Sequence, residues 1–540
     1  MKTKKWFLYA TEFFSGMSVM AVELGASRLL APYFSSSQIV WTIIIGTIMI
    51  AMALGNIWGG RLADKKPDPA HVYGRILFAG IWIALIPVAG KYIIAGISLF
   101  LALFVKAGFL VWASLLSCLI LFVFPLMLLG SVSPALVKFA MSSPDKSGTT
   151  VGELNALNTV GSIIGTFTPT FVTIPTVGTS VSFFIFAAIL IIIAAVYFFV
   201  LREKMKRSDI IKTSVCLVLA AACGFGSTFG SFAFWQNDLV YEGESVYNYL
   251  QIYDDSSARY FSTNVLFGVQ SMQMKDGSLT GSYYDYNLAA PLMAGVAETE
   301  NKEDFDILIL GLATGTFATQ CLKYYGNVNI EGVEIDGKIA KLAKEYFNLP
   351  DAVKVTVSDG RAYIFSGEGK NKKYDVILVD AYQDITIPFQ MSSKEFFTLV
   401  SERLKDNGVM ALNMNMFSDD VNSINAYLAD TVAAVFPEVY YARIEDNREL
   451  FASNNADMLT KFENGLGSVP FELNKTLSAA LLKMKTNGKH KGGNLILTDE
   501  KAPVELLGIR LVDKMISDEL SYYREIYKEK GFKGLWDSLM

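Results

Sequence analysis

The chain is 540 residues long, several times the roughly 150 residues of one domain, so it is composite. Of these residues 52% are hydrophobic and 18% charged, with a mean hydropathy of +0.35, which lies outside the balance of a soluble globular protein and excludes a disordered chain. A net charge of −5 argues against a generally basic nucleic-acid binder, and nucleic acid is not expected as a partner. Two histidines, His71 and His490, are too few for a His-rich metal site, and no metal site is expected. Cys118, Cys216, Cys223 and Cys321 form neither a CxxC pair nor a disulfide framework, and the first three lie in apolar runs as packing residues.

Residues 1–234 carry nearly all the long apolar runs. About 20 apolar residues suffice for a helix to cross the hydrocarbon core. Seven candidates lie near 6–30, 38–60, 76–98, 108–137, 151–174, 180–200 and 213–234, predicting a multi-pass helical domain in a cell (inner) membrane, with the bilayer as a partner. The first carries too many carboxylates for a cleaved signal peptide. Lys and Arg near span ends are retained on the cytoplasmic side. Lys2, Lys4 and Lys5 precede the first span; Arg61, Lys65, Lys66 and Arg75 follow the second; Lys138 and Lys146 follow the fourth; Arg202, Lys204, Lys206, Arg207 and Lys212 follow the sixth. That puts the N-terminus inside, and seven crossings leave the remainder outside. Supply of a cytosolic small molecule favours the opposite, and the expectation leans to an inward-facing C-terminal unit. Within the spans, Glu12, Glu23, Arg28, Glu153, Asn155 and Asn158 read as pairing between helices or as a substrate path. Gly55/Gly59 and Gly161/Gly165 have the spacing that lets helices approach closely.

After Phe234 short β-rich runs alternate with helical stretches. Residues 236–300 are expected to form a small β-rich domain and 301–540 a Rossmann-like α/β domain. Its strands are read at 307–310, 329–334, 353–357, 375–379 and 409–412. Ligands in such sheets lie at the carboxyl ends of the strands. After the first strand stands Gly311-Leu312-Ala313-Thr314-Gly315-Thr316, a turn that lets backbone approach a nucleotide but lacks the second glycine of the GxGxxG fingerprint. Glu334 ends the second strand, about 20 residues on, where a carboxylate binds ribose hydroxyls. Asp359-Gly360 follows the third strand and Asp380 the fourth. Each acid alone also reads as a helix N-cap, the more so Asp336 and Asp384. Glu334, Asp359 and Asp380 in order at three successive strand ends point to a nucleotide cleft with Asp380 near its centre.

These residues resemble the spermidine synthase (polyamine aminopropyltransferase) family over 240–510, and the whole chain resembles its membrane-fused bacterial branch. Glu244-Ser245-Val246-Tyr247-Asn248 is similar to the family's ESxYQ segment, and Gln270 to its substrate-binding glutamine. Tyr284 corresponds to the tyrosine of its YHE segment, and Thr498-Asp499-Glu500-Lys501-Ala502-Pro503 to its late TDD-x-AP segment. The resemblance implies transfer of the aminopropyl group of decarboxylated S-adenosylmethionine to putrescine or a related amine, releasing methylthioadenosine. Asp380 is then the catalytic base. Tyr247, Asn248, Gln270, Tyr284, Asp285 and Asp384 bind the amine, and Gly311, Thr314, Gly315, Glu334, Asp359 and Gly360 bind the adenosyl co-substrate. It also implies a homodimer.

The chain departs from the family pattern in three places. Thr314 stands where the glycine loop usually carries an Asp against the donor's amine; Gln383 replaces the second acid of the DSxDP loop, with Asp384 one residue late; Asp285 replaces the YHE histidine. The loss at Thr314 leaves S-adenosylmethionine itself open as donor, for a methyltransferase or lyase on the same fold. Gly59-Gly60-Arg61-Leu62-Ala63-Asp64 resembles a loop motif of major-facilitator transporters. It leaves open an amine carrier whose Rossmann-like domain binds ligand without turnover.

Overall fold

The computed structural model describes residues 4–141, 147–202, 207–227, 231–236, 238–265, 268–382, 387–415, 418–445 and 447–539. Among them six helical stretches are long and apolar enough to cross a bilayer. The fifth, Ser147–Leu201, passes through a π-helical turn at Pro169–Thr173 and is kinked a few residues later at Gly178, whose φ of 82° is not helical; with its two halves taken separately, the bundle comprises seven helices. They are α1 (Lys5–Phe34), α2 (Gln38–Lys65), α3 (Pro69–Phe104), α4 (Phe109–Ala140), α5 (Ser147–Thr168), α6 (Ile174–Val196) and α7 (Arg207–Ser227).

Glycines set the closest crossings. A Cβ on Gly161 would lie 2.0 Å from the Phe13 carbonyl oxygen and one on Gly165 2.0 Å from that of Met17, so α1 and α5 touch backbone to backbone. Gly55 and Gly59 do the same for α2 against Met127 and Ser131 of α4. Two polar pairs link α1 to α5. Asn158 Nδ2 donates to Glu12 Oε1 at 2.8 Å, and Lys5 pairs with Glu153 at 3.3 Å.

The first sheet is antiparallel, in the order β1 (Leu239–Glu244), β2 (Tyr249–Asp254), β3 (Ala258–Ser262), β4 (Ser271–Met274). It ends at Met274. The following short helices, Tyr283–Asn287 and Ala289–Met293, belong to the second unit, where Leu288, Leu292 and Met293 share a core with Ile307, Ile309 and Leu378. That core lies under a seven-stranded sheet in the order β10-β11-β9-β8-β5-β6-β7. Its parallel strands are β5 (Asp306–Leu310), β6 (Asn329–Glu334), β7 (Val353–Val357), β8 (Tyr374–Val379) and β9 (Leu404–Met414). The antiparallel hairpin β10 (Glu438–Ile444) and β11 (Asn447–Ser453) closes one edge. The central strands read as unbroken apolar runs because helices cover both faces of a parallel sheet.

The two sheets sit on one end of the bundle. Val265 N donates to Pro32 O at 2.9 Å, Arg28 Nη1 to Tyr247 O at 3.0 Å, and Thr179 N to Glu244 Oε2 at 2.6 Å. The chain then returns. The C-terminal helix Val504–Leu539 caps α4 through Asp513, whose carboxylate accepts from Gly108 N at 2.8 Å and Phe109 N at 3.0 Å, while Arg524 Nε reaches Ala102 O at 2.8 Å. Together with Gln38 N, which donates to Glu505 Oε2 at 3.1 Å, these contacts involve the ends of α1 and α3 and the starts of α2, α4 and α6. The opposite end carries Lys4, Lys5, Arg61, Lys65, Lys66, Lys138, Arg202 and Arg207.

Candidate active site

The carboxyl ends of β5, β6 and β8 open into a cavity of about 1440 Å³, whose walls also come from the first sheet, the bundle and the C-terminal helix. Asp380, one residue past β8, sits on its floor. Tyr283 OH donates to Asp380 Oδ2 at 3.2 Å and Asn413 Nδ2 to Oδ1 at 3.0 Å, and Asn413 is itself held by Asn447 Nδ2 at 3.1 Å. These donors favour the charged carboxylate, yet burial prevails and pushes its pKa up to about 6. Glu449 on β11, also buried, is pushed well above the carboxylate range, by burial first and then by the charge of Asp380.

Glu334 closes β6 in a backbone cradle. Its Oε2 accepts from Ala313 N at 2.9 Å and its Oε1 from Asp336 N at 3.1 Å; burial raises its pKa to about 7 against those bonds. Ala313 reaches it through a left-handed φ of 47°. Gly311 is required by space: with φ at 92°, a Cβ would lie 2.3 Å from the Asp380 carbonyl oxygen. Asp359 both lines the cavity and caps a helix, its Oδ1 accepting from Ala362 N at 2.8 Å. Arg361, two residues on, is clamped bidentately by Asp499 of the late Thr-Asp-Glu segment at 2.7 and 2.6 Å.

From the first sheet come Tyr247, Asn248 and Gln270. Ser245 Oγ accepts from Tyr247 N at 3.1 Å and from Asn248 N at 2.9 Å, a tight turn that presents both side chains to the cavity. Gln270 is fixed through Oε1, which accepts from Thr263 N at 3.1 Å.

Four expected site residues stand elsewhere. Tyr284 does not line the cavity; Tyr283 does, with Tyr284 against it at 3.9 Å between ring centroids. Successive residues on a helical turn diverge by about 100°, so only one of the two faces the cleft. Asp285 is buried outside the cavity, accepting from Thr280 N, Thr280 Oγ1, Gly281 N and Gln320 Nε2 at 2.7–3.1 Å, which makes it the clamp of the preceding loop. Thr314 turns inward to Ser271 Oγ at 2.5 Å, tying the glycine loop to β4. Gly315 provides the left-handed N-cap of the helix Thr316–Tyr325 and packs on Leu349. Thr314 and Gly315 thus shape the loop without lining the cleft. Asp384 lies outside the described residues.

Tyr283, Asn413 and Glu449 escaped the sequence reading. The adjacent tyrosines hid the first, and the other two lie on strands that meet only through long-range pairing. Among the described residues no group of three or more His, Cys, Asp or Glu side chains gathers as a metal ion requires.

Residues 289–444 match the family model described as the spermine/spermidine synthase domain. A probable polyamine aminopropyl transferase of Bifidobacterium longum is 46% identical over 350 residues, covering 62% of this chain and 75% of the relative. A polyamine aminopropyltransferase of Vibrio vulnificus is 25% identical over 306 residues, covering 54% of this chain and 98% of the relative. A solved structure, that of a probable spermidine synthase from Corynebacterium glutamicum, aligns over 44% of this chain and 92% of its own at 20% identity with a TM-score of 0.35.

Proposed function

The chain belongs to the spermidine synthase, or polyamine aminopropyltransferase, family, and from that membership we propose a membrane-bound transferase moving the aminopropyl group of decarboxylated S-adenosylmethionine to putrescine or a related amine. One observation carries the choice of donor and acceptor. Five carboxylates line the cavity, Asp238, Glu334, Asp359, Asp380 and Glu445, and among the described residues no Lys, Arg or His does. A cationic amine and a sulfonium suit such walls. The extra carboxylate of S-adenosylmethionine finds no cationic side chain there, which disfavours the reading left open by Thr314.

In the proposed reaction the amine nitrogen attacks the propyl carbon next to sulfur, the C–S bond breaks, and its electron pair returns to sulfur as methylthioadenosine leaves. The new C–N bond leaves a proton in excess on nitrogen. Asp380, half-ionised near pH 6 and held by Tyr283 and Asn413, accepts it. Glu334 holds the ribose, and Tyr247, Asn248, Gln270 and Tyr283 form the amine slot, where aromatic faces attract cations. The test is methylthioadenosine release by purified full-length protein supplied with each donor, with and without putrescine. Release confined to decarboxylated donor plus putrescine is the expected result; turnover of S-adenosylmethionine overturns the choice of donor.

Gly311→Ala is expected to lower turnover and methylthioadenosine affinity together by about tenfold or more, because a left-handed residue with a Cβ costs roughly 1–3 kcal/mol before the contact with Asp380 is counted. Calorimetry beside a turnover assay checks it.

For the membrane-bound form we infer an orientation from the basic residues. Among the described residues of the bundle, the basic clusters Lys4/Lys5, Arg61/Lys65/Lys66 and Arg202/Arg207 lie at the end away from the two sheets, and the positive-inside rule assigns that end to the cytoplasm. The seventh helix, α7, ends at Ser227, and this count with the basic residues supports an outward-facing unit against the inward lean drawn from donor supply. A phosphatase reporter fused after the last residue is expected to be active and a fluorescent protein dark; the reverse pattern overturns this orientation.

A further inference from the structure

We propose that the preferred acceptor is a primary amine bearing a long hydrocarbon chain, its head at Asp380 and its chain along a wall built by α3 and the C-terminal helix. The inference rests on the aminopropyl-transfer reading and narrows its acceptor.

The cavity joins two unlike regions. Its carboxylates come from the two sheets and the segment leading into them, whereas Ala95, Leu99 and Ala102 of α3 and Val512, Met515 and Ile516 of the C-terminal helix line it without a charge. At about 1440 Å³ it exceeds the roughly 300–1,000 Å³ of ordinary small-molecule sites. An adenosyl donor and a four-carbon diamine leave much of it unfilled. The apolar wall is a built one: Asp513 caps α4, Ser517 Oγ donates to Lys106 O at 2.7 Å, and Arg524 binds Ala102 O, all on the segment that supplies Val512, Met515 and Ile516. α3 is also one of the helices apolar enough to lie in a bilayer, and outside the cavity its last turns expose Phe100 and Phe104. A chain seated on this wall therefore continues the apolar surface of the bundle.

Charge decides which substrate owns the wall. Putrescine is a dication and loses hydration against an apolar surface without recompense. The adenosyl donor is held at the polar strand ends, and its transferred arm is short. The remaining substrate is the acceptor, and a hydrocarbon chain with one cationic head matches acids on the walls supplied by the sheets and Ala, Leu, Val, Met and Ile on the wall supplied by α3 and the C-terminal helix. Each methylene withdrawn from water raises affinity roughly fourfold, the equivalent of about 0.8 kcal/mol.

The experiment uses full-length protein in lipid nanodiscs with decarboxylated S-adenosylmethionine and a series of butylamine, hexylamine, octylamine and dodecylamine beside putrescine. Expected is a rise in kcat/KM of more than about fiftyfold from butylamine to octylamine. Leu99→Gln and Ile516→Gln are expected to flatten that ratio, which is internal to each variant and so independent of its folded fraction. Nanodiscs containing an aminophospholipid separate the sources: an aminopropylated lipid identifies a bilayer acceptor, and its absence beside a rising series identifies a freely diffusing amphiphile. A flat or falling series with putrescine consumed overturns the inference and leaves the transfer reaction standing. No release with any amine overturns the transfer reading instead. Chain seating is then read without turnover, by quenching of Trp235, which lines the cavity, with a bromo-dodecylamine, compared with Trp235→Phe. Quenching confined to the parent supports the seat, and equal quenching in both overturns it.

Discussion

Asp380→Asn is expected to lower methylthioadenosine formation by about 10²–10⁴-fold, the range associated with a positioned general base, with methylthioadenosine affinity unchanged. Asn retains the shape and can keep its links to Tyr283 and Asn413, so the substitution removes the proton acceptor and little else. An active variant would exclude Asp380 as base. In the parent, activity should fall as pH drops through about 6, where the carboxyl takes up its proton. Stability runs the other way. The folded-state pKa of about 6 lies above the ordinary 3.8, so the folded protein holds the proton more tightly than the unfolded chain. The resulting stabilisation is complete below about 3.8 and is lost as pH rises through 6. At pH 7.5 the parent therefore carries the cost of a buried charge that the Asn variant lacks. The variant should melt higher than the parent at that pH, and the gap should shrink at pH 5, as thermal unfolding at the two pH values reads directly.

At a pH above about 7, where the Glu334 carboxyl is ionised, Glu334→Ala is expected to weaken methylthioadenosine binding by about 10–100-fold, in keeping with loss of hydrogen bonds to a charged group. Two effects combine. In the proposed site the ribose would lose its acceptors, and Ala313 N and Asp336 N lose the carboxylate that fixes the left-handed turn beside Gly311. Turnover at saturating donor should recover much of the parent value, because Asp380 and its partners lie on different strands. Calorimetry paired with saturation kinetics separates the two constants, and unchanged affinity would remove Glu334 from the ribose site.

What the sequence revealed follows from where the chemistry is local. Glu334, Asp359 and Asp380 were legible because a parallel sheet delivers its strand ends to one edge, so order along the chain becomes order across the cleft. Tyr284 and Asp285 were assigned from a segment only five residues long, in which a single step of rotation decides what faces the ligand and what clamps the loop. Asn413, Asn447 and Glu449 depend on β11 pairing antiparallel to β9, a relation that no local pattern encodes. The seven apolar runs were plain, whereas the return of the C-terminal helix to α3 and α4 was not, because its contacts span about 400 residues of chain.

That return has a mechanical consequence. A domain joined to its support by one linker can swing; this one is pinned where the chain leaves the bundle, again at Thr179 by Glu244, and once more at Gly108 by Asp513. Opening and closing of the cleft is therefore restricted to motions that the helix ends share. In the proposed membrane setting, a change in bilayer thickness or tilt that moves α3 against α6 is expected to strain the cavity walls directly, which would make the surrounding lipid part of what sets the proposed rate.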